Sequence, residues 1–179
     1  MRFLIAVICV LSLAGCASQI ASTGNQEAEK WLSEYYRRLG QFRREQCAYI
    51  EEKYPEWKED LRRWTRVHEA GDALDRYLFG YYLVHKPEQM EWCDGEWTHS
   101  TFVCNCGEEG SVPTVEFRRL FKIRCQADYE LETYSPPDTY QRISAALHAN
   151  PSFTSEAFRK RVADMREDFQ SLKNRPNLK

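Results

Sequence analysis

The sequence contains no Cys-x-x-Cys, no Gly-x-Ser-x-Gly and no second histidine four residues after His68. Each absence removes a class of chemistry. Without the first, a thioredoxin-like dithiol or a paired zinc ribbon lacks its motif. Without the second there is no nucleophile elbow, and His85 and His148 have no recognisable partners for one. In "HEAGD", His68 to Asp72, an aspartate stands where the zinc-binding H-E-x-x-H needs its second histidine, so the stretch reads as an amphipathic surface turn. Acidic residues are abundant, but abundance places no catalytic carboxylate pair. There is no internal repeat. The longest apolar run, Phe3 to Leu13, is too short to span a bilayer as a mature helix. Charge of one sign is lacking too: the formal net charge is -2, and the pairs Arg37-Arg38, Arg43-Arg44 and Arg62-Arg63 alternate with Glu and Asp. Such interleaving describes solvated helix faces and not a nucleic-acid surface.

The amino terminus is more specific. Arg2, the apolar run and then Ala14-Gly15 before Cys16 are the parts of a cleaved export signal. "LAGC", Leu13 to Cys16, resembles the lipobox of bacterial lipoproteins. That resemblance covers about the first 16 residues and implies a diacylglyceryl group, with palmitate-type chains, on Cys16 and a second acylation of the new amino terminus. Several chains make a lasting anchor where one binds reversibly. Ala17 in place of aspartate fits the sorting pattern for the outer membrane, with the protein facing the periplasm. The expected organisation is a signal peptide over 1–15, the lipidated cysteine and a small, polar, flexible tether over 16–25, and one domain over 26–179.

Of the seven cysteines, Cys9 leaves with the signal and Cys16 takes lipid, so Cys47, Cys93, Cys104, Cys106 and Cys125 remain. In an oxidising compartment these are expected to pair, and an odd number leaves one over. Cys104 and Cys106 face the same way in an extended segment and do not suit each other. The expected bonds join Cys93 to Cys104 or Cys106, and Cys125 to the other or to Cys47. Two alternatives compete: a zinc site built from Cys93, His99, Cys104 and Cys106, and a redox thiol of depressed pKa. Trp92 and Trp97 flank Cys93 in this polar insert, near 92–113, and are candidate partner-binding residues, because tryptophan supplies contact area at low entropic cost.

Elsewhere the pattern is helical. Trp31, Tyr35, Leu39, Phe42 and Tyr49 share a stripe that Gly40 weakens without ending, and Pro55 suits the start of a next helix carrying Trp57, Leu61, Trp64 and His68. Gly71-Asp72 marks a break or kink. "ALDRYLFGYYLVH", Ala73 to His85, reads as a central buried helix. A short hairpin fits Thr98–Cys106 with Ser111–Phe117 across "GEEG". Helices follow from Phe117 to Pro136 and from Asp138 or Thr139 to Asn150. A last helix carries Phe158, Val162, Met165, Phe169 and Leu172. The expected fold class is all-α: a helical bundle with a disulfide-stapled, cysteine-rich loop. The expected function is that of a non-enzymatic, lipid-anchored envelope protein that binds or stabilises another envelope protein, with no cofactor beyond its lipid. In broad architecture it is similar to the small helical pilotin lipoproteins of secretion systems, without a shared motif. The alternative is a periplasmic metal-binding protein or metalloenzyme using the Cys/His loop.

Overall fold

The computed structural model describes residues 26–93 and 114–174 in full, and the backbone alone of 96–99. The signal segment, Cys16 and its tether, and Cys104 and Cys106 lie outside the described residues.

Helices α1 (Gln26–Lys53) and α2 (Lys58–His85) form an antiparallel pair joined by the 3-10 turn Pro55–Trp57. Proline suits that first position because its missing N–H has no helical partner to lose. A two-stranded hairpin, β1 (Met90–Cys93) and β2 (Glu96–His99), precedes α3 (Val115–Tyr134), α4 (Thr139–His148), α5 (Ser155–Val162) and α6 (Met165–Lys173). The Thr114 hydroxyl accepts from the Phe117 N–H, which caps α3. No described helix is long and apolar enough to cross a membrane.

Three local expectations are corrected. The hairpin lies one segment earlier than expected, pairing Met90 with His99 and Trp92 with Trp97, while Val115–Phe117 is the first turn of α3 and not a strand. Asp94-Gly95, a two-residue turn signal between alternating segments, marks its true position in the sequence. Gly71-Asp72 does not break α2, which runs through both. The carboxy-terminal stripe belongs to two helices. Where one helix would continue, the Arg161 carbonyl accepts from Arg38 Nη1 at 2.7 Å and the Asp164 carboxylate pairs with the same guanidinium. A side chain inserted into the carbonyl ladder is a recognised cause of such interruptions. The stripe is buried all the same, from Phe158 to Leu172.

The buried side chains fall into two clusters. One gathers α1, α2, the hairpin, α5 and α6 around Trp31, whose ring stacks on Tyr35 and Phe79 at 5.3 and 5.1 Å and meets Phe169 and Trp92 at 5.6 and 5.9 Å. Its Nε1 donates to the Met165 carbonyl at 3.0 Å, so the indole is satisfied while buried. The other cluster joins Ile50, Leu61, Trp64, Val67, Leu131, Ile143 and Leu147 from the opposite ends of α1, α2 and α3 with α4. Between the two clusters, "HEAGDA" of α2 supplies only small and polar side chains. This waist positions the site.

Candidate functional site

At the waist, Asp72 of α2 pairs with Arg43 of α1, both side chains about four-fifths buried. Burial pushes the Asp72 carboxyl up to about 6, outweighing the pull of the Arg43 guanidinium. One turn earlier, His68 packs edge-on against Trp64 at 4.1 Å, and its Nε2 has no hydrogen-bond partner. Burial, then Arg43 and Arg124, lower its pKa to about 3, which keeps the ring neutral. The surface-turn expectation for His68–Asp72 is thereby corrected. The segment is the polar interior of a helix between two apolar cores. Gly71 belongs to the same device, since a Cβ there would stand 2.6 Å from Arg124 Nη1 of α3. That atom is the far end of a flexible side chain, held to Asp128 at 2.8 Å.

Because the waist side chains are small, a groove of about 1020 Å³ opens between α1, α2 and α3. Ala70, Ala73, Leu120, Ile123 and Ala127 form its apolar floor and wall. Five cations line it, Arg44, Arg66, Arg76, Arg119 and Lys122, against three carboxylates, Glu69, Asp72 and Glu130. Two of those carboxylates are neutralised, Asp72 by Arg43 and Glu130 by Arg66 at 2.9 Å. Arg44 and Lys122 are exposed and make no salt bridge among the described residues, and Arg76 lies over the Tyr36 ring at 4.3 Å. A chain of net charge -2 therefore presents a locally positive, apolar-floored groove. A second cavity of about 620 Å³ continues it along α1 and α2 past Thr65 and Cys47, and the two share Gly40, Arg44, Arg66, Glu69 and Asp72. No histidine, serine or cysteine lines the larger groove, whose ionisable side chains are the arginines, Lys122, Tyr36, Glu69, Asp72 and Glu130.

On the opposite side of the waist, about 290 Å³ opens beside Trp64, His68, Tyr140, Ser144 and His148. The His148 Nδ1 is already engaged with the Ser144 carbonyl at 2.8 Å. Among the described residues, no group of three or more His, Cys, Asp or Glu is placed to hold a metal.

The sequence-derived candidates fall elsewhere. Cys47 and Cys93 are free thiols, which departs from the expected bond of Cys93 to Cys104 or Cys106 and leaves Cys47, one of two expected partners for Cys125, unbonded. Cys47 lies half-buried in the α1/α2 contact with its sulfur 3.3 Å from Thr65 Oγ1, and burial raises its pKa, the reverse of a reactive redox thiol. Cys93 is exposed at the turn end of the hairpin, whereas His99 pairs at its far end. Cys125 of α3 is disulfide-bonded, and its partner lies outside the described residues. Trp92 is half-buried with its ring 5.5 Å from Phe169 and 6.1 Å from Tyr35, and the Trp97 side chain lies outside the described residues. The structure thus brings Trp92 to the core and away from the groove. Sequence reasoning missed the groove. Its signal was the run of small residues Ala70, Gly71 and Ala73 with Gly40, on faces where a leucine is expected.

No protein-family model, no curated protein and no solved structure matches the chain.

Proposed function

We propose that the protein is a non-enzymatic lipoprotein, held at the outer membrane through Cys16, that binds another envelope protein in the α1/α2/α3 groove. The observation that carries the reading is the groove itself: large, apolar-floored and with cations in excess along its lining. The lipobox resemblance supplies the anchor. Cys125, with Cys104 or Cys106 as its partner, ties the cysteine-rich insert to α3, and Cys47 and Cys93 stay outside that bond. The test isolates the full-length protein from its own membranes in mild detergent, beside Cys16→Ala and Ala73→Leu. Cys16→Ala is expected to leave the membrane fraction. A stoichiometric second chain is expected with the wild type and lost on Ala73→Leu, whose added side chain fills the groove. Retention of that chain by Ala73→Leu contradicts the groove as the contact.

The alternative, zinc held by Cys93, His99, Cys104 and Cys106, gains no support from the hairpin, whose register sets Cys93 and His99 at opposite ends and on alternate faces. It requires stoichiometric metal that disappears on His99→Ala.

A further inference from the structure

We propose that the groove docks an acidic, amphipathic helical segment of the partner protein, with its apolar face on the Ala70–Ala73–Ile123–Ala127 floor and its carboxylates on Arg44, Arg76 and Lys122. This rests on the binding reading above and names the chemistry of what is bound.

Charge complementarity selects the sign. Asp72 is answered by Arg43, and the pairs Arg66–Glu130 and Arg119–Glu116 cancel, which leaves Arg44, Arg76 and Lys122 against Glu69 as the lining charges without a salt bridge among the described residues. Arg76 lies with its guanidinium 4.3 Å from the Tyr36 ring centroid, a contact that uses the π-face of the ring and no carboxylate. Shape selects a segment over a small anion. Groove and continuation follow α2 from Lys58 to Arg76, which at the helical rise is roughly 27 Å, the length of a helix of about 18 residues. A phosphate or a single headgroup would leave most of that length and its apolar floor uncovered. A helix laid in the groove covers both, with apolar anchors at i, i+3, i+4 and i+7. Ile123, 46% exposed although it adjoins Ala70 and Ala127 in the lining, is the wall such an anchor would cover. The floor is shallow because its residues are alanines, so a helix can approach closely.

The experiment uses the full-length protein in neutral detergent and a fluorescent 20-residue peptide carrying glutamates on one helical face and leucines and alanines on the other. Binding is expected to weaken at least tenfold for the double variant Arg44→Glu with Lys122→Glu, and again for Ala73→Leu. Raising the salt from about 50 to 500 mM should also weaken it, through screening of the rim charges. Lys160→Glu, at an exposed position of α5 outside the groove, is expected to leave binding unchanged. Because Arg44 and Lys122 are exposed and unbridged, their reversal leaves the circular dichroism and thermal midpoint in place, which separates lost binding from lost fold. Absence of peptide binding, equal affinity for a lysine-for-glutamate version, or indifference to the double variant overturns the proposal. Displacement of the peptide by vesicles of phosphatidylglycerol, but not by phosphatidylcholine, assigns the rim to anionic lipid and likewise overturns it. If the peptide fails while the native partner still co-isolates in an Ala73-dependent way, the acidic chemistry falls and the groove reading stands.

Discussion

His68 and Asp72, one helical turn apart, carry opposite pH dependences. The folded-state pKa of His68, about 3, lies below its ordinary 6.5, so the unfolded chain takes up the proton first. Its contribution to stability is present above pH 6.5 and is lost as the pH falls toward 3. By linkage that loss is about 2 kcal/mol between pH 6.5 and 5. Asp72, raised to about 6 from 3.8, contributes in the other sense, and its stabilisation is lost as the pH rises through 6. His68→Gln should therefore flatten the acid limb of a plot of thermal midpoint against pH; an unchanged limb contradicts a buried neutral imidazole. Trp92 is the second informative residue. It was legible in the sequence as an aromatic beside a cysteine, which suggested a ring free for a partner, but strand pairing returns it to Trp31 and Phe169. Trp92→Ala should cost about 2 kcal/mol in urea unfolding, below the range for a fully buried ring because Trp92 is half-buried. No measurable loss would contradict its place in the cluster.

Among the elements, long helices were the most legible. The stripes of Trp31, Tyr35 and Phe42 and of Phe158, Val162 and Phe169 are buried as their periodicity requires. What the sequence hid are the features set by contacts between distant segments. The α5/α6 interruption depends on Arg38, more than 120 residues away in the chain, taking the Arg161 carbonyl. The hairpin was overlooked for a different reason: Asp94-Gly95 was readable, but the more β-branched stretch after it carried a stronger propensity signal. Gly40 shows how local and tertiary demands separate. A Cβ there would meet only Arg44 Nη1, at an ordinary 3.5 Å. Gly40→Ala should then raise stability by about 0.5–1 kcal/mol through helix propensity and the unfolded chain. A lower thermal midpoint would show that the backbone at the waist needs glycine.

For the whole molecule, two apolar clusters joined through a polar waist account for both the fold and the groove. The clusters supply the burial; the small residues of α2 leave a cleft between them, and the charges of α1 and α3 give it sign. The candidate site was least legible because it arises from missing side-chain volume, which a search for reactive residues passes over. One measurement tests this central claim most directly: site-specific photo-crosslinking in the intact envelope, with the photoreactive residue placed at Ile123 in the groove or at Glu156 on α5. A single discrete crosslinked partner from position 123, absent from 156 and lost when Ala73→Leu is added, is the expected result. Crosslinks of equal yield from both positions, or none from 123, would contradict the groove as the working surface of the protein.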